Sequence, residues 1–110
     1  MLTMNKVLTL LGFASKAGKL SYGFDAVRTA LCQKKSKLLL VANDVSPKSQ
    51  KEVLFFGEKF KTKVIVLNEC DMETLSHAVG RRCGIISVND GSFSQGLISA
   101  ICVGRNLNDK

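Results

Sequence analysis

An unbroken run of apolar residues, Leu38-Leu39-Leu40-Val41-Ala42, constrains the fold of this chain more than any other feature. Runs of this kind suit strands that are covered on both faces of a sheet. Two more follow, Val64-Ile65-Val66-Leu67 and Ile85-Ile86-Ser87-Val88, and a short segment at Lys19–Tyr22 can also be extended. The sequence therefore predicts a sheet with helices packed on both of its faces.

Five segments between and around these runs have helical spacing or helix-capping residues. In the first, Val7, Leu10, Leu11 and Ala14 follow the i, i+3, i+4, i+7 pattern of one helical face. The predicted helices are Asn5–Lys16, Phe24–Gln33, Pro47–Phe60, a short helix between Asp71 and Gly80, and a last helix that runs through Cys102.

Capping residues mark the helix ends. We predict N-caps at Thr3, Ser46, Asp71 and Ser92, with Pro47 at a first helical position and Gly80 as a C-cap. The alternation of helix and strand predicts an α/β fold, a three-layer α/β/α sandwich with a central mixed four-stranded sheet. We expect residues 1–110 to form a single domain, with a frayed polar tail at 105–110.

The charge of the chain favours a polyanionic partner. Sixteen Lys and Arg residues stand against nine Asp and Glu, which gives a net charge of +7. On so small a domain this favours nucleic acid first and an acidic protein or membrane surface second. A role in solubility alone remains open on composition.

Composition also argues against a membrane or metal protein. The longest nearly apolar run near the N-terminus, Val7–Ala14, is too short to span a bilayer, and no signal-peptide cleavage pattern follows it. The four cysteines contain no C-x-x-C pair, and the chain has one histidine, so we expect neither a metal nor a cofactor. We expect a cytoplasmic monomer whose cysteines remain reduced.

The sequence offers little to an enzyme. The sole histidine, His77, adjoins Ser76 on a predicted helix, where neighbours do not face each other. No G-x-x-x-x-G-K-[ST] or G-x-G-x-x-G phosphate loop occurs. Asp44 follows a strand as a phosphoacceptor would, but no acidic pair follows the first strand, so Asp44 is more simply the start of a turn.

A candidate binding surface begins at the turn before the second helix. Helix N-termini attract anions, and this one carries Gly23, Phe24, Asp25 and Arg28. We add the loops after the next two strands because strand ends build sites in such folds. The candidate binding residues are Lys16, Lys19, Gly23, Phe24, Asp25, Arg28, Asn43, Asp44 and Asn68. The structural alternative is that Gly23 shapes a connection and Phe24 seals the core.

Three segments together resemble a known family. They are Lys16-Ala17-Gly18-Lys19 with the turn Gly23-Phe24-Asp25-Ala26-Val27-Arg28, the loop Ala42–Pro47, and Leu75-Ser76-His77-Ala78-Val79-Gly80. Nearly the whole chain resembles the kink-turn-binding large-subunit ribosomal proteins of archaea (the "seven-Ae" type) and their small bacterial paralogues. That resemblance implies an α/β/α sandwich that binds kink-turn RNA and performs no catalysis.

The resemblance also implies roles for individual residues. Asp25, where the family has a glutamate, would accept hydrogen bonds from guanine N–H groups, and Arg28 would donate to guanine O6 and N7. Phe24 stands where the family has an asparagine, so it would stack on a base or pack in the core. Asn43 and Asp44 would support the loop. The alternative is a protein-interaction module on the same fold that binds RNA only weakly, through charge.

Overall fold

Five helices and four strands alternate along the chain. The computed structural model describes the backbone of residues 2–104 and the side chains of residues 5–101. The elements are α1 Leu2–Lys16, β1 Leu20–Tyr22, α2 Phe24–Cys32, β2 Leu38–Ala42, α3 Pro47–Lys59, β3 Val64–Leu67, α4 Met72–Val79, β4 Ile85–Val88 and α5 Gly91–Gly104. The tail predicted to be frayed, 105–110, lies outside the described residues.

The four strands form one mixed sheet in the order β1-β4-β2-β3. β2 pairs in parallel with β3, with Ala42 opposite Leu67. β4 runs antiparallel to both of its neighbours and pairs Val41 with Ile85. β1, β2 and β3 therefore point in one direction, and β4 points in the other.

Helices cover both faces of the sheet. All five residues of β2 are buried, and their side chains alternate between two cores. Leu38, Leu40 and Ala42 pack in one core with residues of α1, α4 and α5, whereas Leu39 and Val41 pack in the other with α2 and α3. The structure confirms the predicted three-layer α/β/α fold with its mixed four-stranded sheet.

Most predicted helix caps are confirmed, and two are wrong. Ser46 and Asp71 accept from the backbone N–H groups of Ser49 and Thr74, and Gly80 ends α4 with a φ of 79°. Thr3, however, lies inside α1, which begins at Leu2.

The second wrong cap is Ser92. Helix α5 begins at Gly91, before that serine, because Asp90 Oδ2 accepts from the Phe93 N–H at 2.9 Å. An aspartate one position ahead of the glycine therefore satisfies the first turn.

A polar network runs across the end of the sheet where β1 and β2 begin. Ser87 is fully buried, and its Oγ lies 2.7 Å from both Ser36 Oγ and Asn89 Oδ1. Asn89 in turn donates to Ser21 Oγ at 2.9 Å. The buried hydroxyl is therefore fully satisfied, and the network joins β1, β4 and the approach to β2. Within residues 2–104, no helix combines the length and hydropathy needed to cross a membrane.

Candidate nucleic-acid interface

Strand direction gathers four loops at one edge of the sheet. The carboxyl ends of β1, β2 and β3 lie together there, and antiparallel β4 begins there. We call this surface the loop edge; it comprises residues 23–28, 43–46, 68–71 and 81–84. The structure thus brings together the three predicted loops and adds a fourth.

Gly23 makes the tight transition from β1 to α2. Its φ of 86° and ψ of 164° lie in a region that favours glycine, and its N–H donates to the Ile85 carbonyl at 3.0 Å. A Cβ at this position would meet nothing within 4 Å, so the requirement is conformational rather than steric. No side chain caps α2, which leaves its first N–H groups directed at the loop edge.

Asp25 and Arg28 present an acceptor and a donor side by side on the first turns of α2. The Arg28 Nη2 donates to Asp25 Oδ1 at 3.3 Å, and the two side chains are 51% and 94% exposed. An exposed pair of this kind contributes little to stability. It can therefore open at small cost when a ligand offers better partners.

Phe24 turns toward the neighbouring helix. Its ring is half-buried and packs on Phe56 of α3, with the ring centroids 5.6 Å apart at 54°. It belongs to the α2–α3 core, as the structural alternative expected. The ring anchors the turn from which Asp25 and Arg28 project.

Asn43 and Asp44 brace the loop after β2 against the loop after β3. Asn43 Nδ2 donates to the Asn68 carbonyl at 2.8 Å, and the Asn43 N–H donates to the Cys70 carbonyl at 2.9 Å. Asp44 Oδ1 accepts from the Met72 N–H at 2.9 Å. Both residues therefore hold the two loops together, and the exposed Asn68 lies on the surface that they form.

Sequence reasoning assigned no role to the loop before β4, yet this loop carries cations to the site. The guanidinium of Arg81 lies 4.9 Å from the centroid of the Tyr22 ring, and Arg82 beside it is exposed. Ser15, near the end of α1, contacts the hydroxyl of Tyr22 with its own hydroxyl, and Lys16 follows it as the last residue of that helix. The sequence feature that could have predicted this role is the pair Arg81-Arg82 shortly before the apolar run of β4.

Close packing fixes the same loop. Ser76 Oγ accepts from the Cys83 N–H at 2.9 Å and donates to the Cys83 carbonyl at 3.1 Å. A Cβ on Gly84 would lie 2.8 Å from Val45 Cγ1, so only glycine lets the loop pass the β2–α3 connection. Because Ser76 is engaged in this way, it is not poised as a nucleophile beside His77.

Lys19 lies away from the loop edge. Its carbonyl accepts from the Asn89 N–H at 2.8 Å, which places Lys19 where β1 begins and β4 ends. The three residues of β1 separate it from Gly23, a length of about 10 Å. The structure therefore joins the predicted residues of the loops after β1, β2 and β3, whereas Lys19 lies beyond the end of α1, which Lys16 closes.

Two thiols beneath the loops are held in their neutral form. Burial and the nearby carboxylates of Asp71 and Asp44 raise the pKa of Cys70 to about 11. Burial also raises the pKa of Cys83. The Thr74 backbone hydrogen bond lowers the pKa of Asp71. Among the described side chains, no three potential metal ligands cluster.

Comparison with known proteins agrees with this geometry. The model of the ribosomal protein L7Ae/L30e/S12e/Gadd45 family matches residues 5–98. The large ribosomal subunit protein eL30 of Candida glabrata is 31% identical over 94 residues, which cover 84% of this chain and 89% of that protein.

Two solved structures have a similar fold. A Bacillus halodurans protein of unknown function superposes with a TM-score of 0.82 at 28% identity, covering 87% of this chain and 96% of the other. The Giardia lamblia 15.5 kD RNA-binding protein has a TM-score of 0.76 at 13% identity, with coverages of 96% and 88%, and shows similarity of fold. From the family match and the eL30 identity, this chain belongs to the ribosomal protein L7Ae/L30e/S12e/Gadd45 family.

Proposed function

We propose that this chain is a non-catalytic RNA-binding protein of ribosomal type that recognises a kink-turn through the loop edge. One observation carries the proposal: the exposed Asp25–Arg28 pair stands at a helix N-terminus without a side-chain cap, on the same edge as the loop before β4, which brings Arg81 and Arg82. The membership in a ribosomal family and the name of the Giardia protein support RNA as the ligand. We expect it to act in the cytoplasm, as a monomer.

The proposed contacts divide into base recognition and positioning. Asp25 accepts from guanine N–H groups and Arg28 donates to a guanine edge, for which a guanidinium is well suited. Lys16, Arg81 and Arg82 contact phosphates, which fix the register of the RNA but not its sequence.

The other loop-edge residues position these contacts. Gly23 sets the turn and Phe24 anchors it on Phe56. Asn43 and Asp44 hold the loop that presents Asn68 to the RNA.

The test compares two RNAs across a salt series. One is a kink-turn hairpin and the other is a plain duplex of equal length. General phosphate binding weakens steeply with salt for both, so a preference that persists at higher salt reports specific contacts. The double variant Asp25→Ala, Arg28→Ala keeps the net charge and is expected to lose this preference.

A matched control removes one acid and one base elsewhere. Lys51 and Glu52 are both exposed in the middle of α3, so Lys51→Ala, Glu52→Ala also leaves the net charge unchanged. It should retain the kink-turn preference. Equal and weak binding of the wild-type protein to both RNAs would refute the proposal.

Equal, weak binding would instead support a protein-interaction module. Two large apolar side chains favour that second function: Leu54 and Phe55 are 46% and 60% exposed next to each other on α3. Exposed apolar neighbours of this kind occur at protein-binding sites. A preference for the kink-turn that depends on Asp25 and Arg28 would decide against it.

A further inference from the structure

Lysines dominate the edge of the sheet opposite the loop edge. β1, β2 and β3 begin there, and α2 and α3 end there. We call this surface the far edge, defined by seven exposed lysines: Lys19, Lys34, Lys35, Lys37, Lys59, Lys61 and Lys63. In the described part of the chain, none of them forms an ion pair with a carboxylate.

A groove between the ends of α2 and α3 concentrates this charge. Lys34 comes from the end of α2, and Lys59 and Lys61 come from the end of α3. Ser36 and Thr62 line the same groove, and their hydroxyls already contact Ser87 Oγ and the Phe60 carbonyl. The lysine ammonium groups are therefore the groove's free donors, and such groups contact phosphate oxygens in nucleic-acid complexes.

Directly after the C-cap of each helix stands a lysine, Lys34 or Lys61, at a position where glycine is the usual residue. The Lys34 and Lys35 N–H groups donate to the Leu31 and Ala30 carbonyls at 3.0 and 2.9 Å, which is a Schellman ending. The Lys61 and Thr62 N–H groups repeat this pattern on the Glu58 and Gly57 carbonyls.

The end of α1 shows what these positions would ordinarily hold. It has the same hydrogen-bond pattern but uses Gly18, at a φ of 73°. Lys34 and Lys61 have φ values of 61° and 56°, a conformation that costs a side-chain-bearing residue about 1 kcal/mol or more. Both strained lysines line the same groove. The chain therefore has this unfavourable backbone conformation at positions where a cation can serve binding.

The chemistry of the far edge fits RNA better than a membrane or an apolar protein surface. None of the described large apolar side chains that are well exposed, Phe13, Leu54 and Phe55, lines the groove, although Phe55 lies one helical turn before Lys59. Phe60, which lies in the groove, is only partly exposed and has Lys59 5.6 Å from its ring centroid. A cationic groove whose lining holds no well-exposed large apolar side chain matches a phosphate backbone.

We propose that the far edge binds the phosphate backbone of a second RNA segment, so that the protein bridges two RNA helices. This inference rests on the proposed function at the loop edge. The five residues of β2 separate the two edges by about 17 Å, and the edges face away from each other. One surface reads a structured RNA, and the other binds a duplex without regard to sequence.

The experiment uses the full chain, a surface-bound kink-turn hairpin and a labelled plain duplex RNA in solution. The wild-type protein on the hairpin is expected to capture the duplex. The variant Lys34→Gln, Lys61→Gln should bind the hairpin and fail to capture the duplex. For this variant and free duplex RNA, the plot of log affinity against log salt concentration should be shallower than for the wild type. The slope should change by about 2, one for each lost phosphate contact.

A control variant separates position from net charge. Lys6→Gln, Lys51→Gln removes the same two charges from +7, at exposed sites in α1 and α3. It should still capture the duplex. Glutamine is as strained as lysine at a positive φ, so thermal melts of both variants should match the wild type and exclude misfolding.

Three results would overturn the inference. The first is an equal loss of salt slope in both variants, which would mean that only net charge matters. The second is unchanged duplex capture by Lys34→Gln, Lys61→Gln. The third is binding of polyglutamate or anionic vesicles as tightly as RNA, with loss in the same variant.

The free-duplex measurement keeps this inference separate from the proposed function. If the hairpin is not preferred over the duplex, the loop-edge proposal fails. A change in salt slope that occurs in Lys34→Gln, Lys61→Gln but not in the control variant would still support phosphate binding at the far edge.

Discussion

The buried thiols of Cys70 and Cys83 illustrate how a single side chain is tuned by its surroundings. Their pKa values are raised, that of Cys70 to about 11, so both stay protonated well above neutral pH. The thiolate is the reactive form, and Cys32 is exposed with a sulfur open to reagents. We expect an alkylating reagent at pH 8 to modify Cys32 in the folded protein and to reach the other two only on unfolding. Peptide mass spectrometry over time checks this; equal rates at Cys70 and Cys32 would contradict the burial described.

The two strained lysines give a second prediction at the scale of one residue. Replacing Lys34 or Lys61 by glycine relieves a left-handed conformation, although glycine also gains freedom in the unfolded chain. Each variant should therefore gain about 0.5–1 kcal/mol in the free energy of unfolding, measured by urea denaturation. Gln33, which has a φ of −84° just before Lys34, supplies the control, and Gln33→Gly should gain nothing. A more stable Lys34→Gly that binds duplex RNA less well would show stability traded for function.

Two glycines in helices should respond oppositely to alanine because of what lies beside them. A Cβ on Gly57 of α3 would come 2.3 Å from Val64 Cγ2 and 2.9 Å from the Thr62 carbonyl oxygen. Gly57→Ala should therefore cost about 1–3 kcal/mol through overpacking between α3 and β3. On α5, a Cβ at Gly96 would meet only Leu10 Cδ1, at 3.8 Å. Gly96→Ala should gain up to about 1 kcal/mol from helix propensity. Thermal melts measure both variants, and two stabilised or two destabilised variants would be inconsistent with this packing.

The cap of α4 links helix stability to pH. The Thr74 backbone N–H holds the pKa of Asp71 below its ordinary value of 3.8. The carboxylate therefore stabilises the folded state above that ordinary value, and this stabilisation is lost as the pH falls through the lower folded-state pKa. In Asp71→Asn the melting temperature should fall less between about pH 5 and pH 2 than in the wild type. If the melting temperatures of the two proteins fell equally over this pH range, protonation of Asp71 would not be linked to unfolding.

The elements themselves were largely predictable because their signals are local. The bounds of β2 and β4 match their apolar runs, and Ser46 and Asp71 cap the helices they precede. Thr3 failed as a cap because α1 already begins at Leu2. Ser92 failed because Asp90 accepts from the Phe93 N–H, so that α5 begins at Gly91.

The site was predictable only in part because its assembly depends on strand direction. The three loops were expected together, and they do lie together. Lys19 was grouped with Gly23 by its nearness in sequence, yet a strand directs the two to opposite edges. The contact of Arg81 with Tyr22 joins residues about half of the chain apart, and no local pattern predicts it.

At the scale of the whole molecule, stability should be graded across the sheet. β2 is buried along its full length and, like β4, has strands on both sides, whereas β1 and β3 each have one neighbour. Amides of β2 and β4 should therefore exchange with solvent only through global unfolding, and those of β1 should exchange sooner. Native-state hydrogen exchange at low denaturant measures this order. Earlier exchange in β2 than in β1 would place the stable centre elsewhere.

Tyr22 has one more consequence. It is the sole tyrosine of a chain without tryptophan, and it lies under Arg81 with its hydroxyl against Ser15. When excited at wavelengths that its six phenylalanines do not absorb, the native protein therefore emits from this single ring, with no tryptophan to accept the energy. The protein carries a built-in optical probe beside its loops, and occupancy there can be followed as a change in intrinsic fluorescence without attaching a dye.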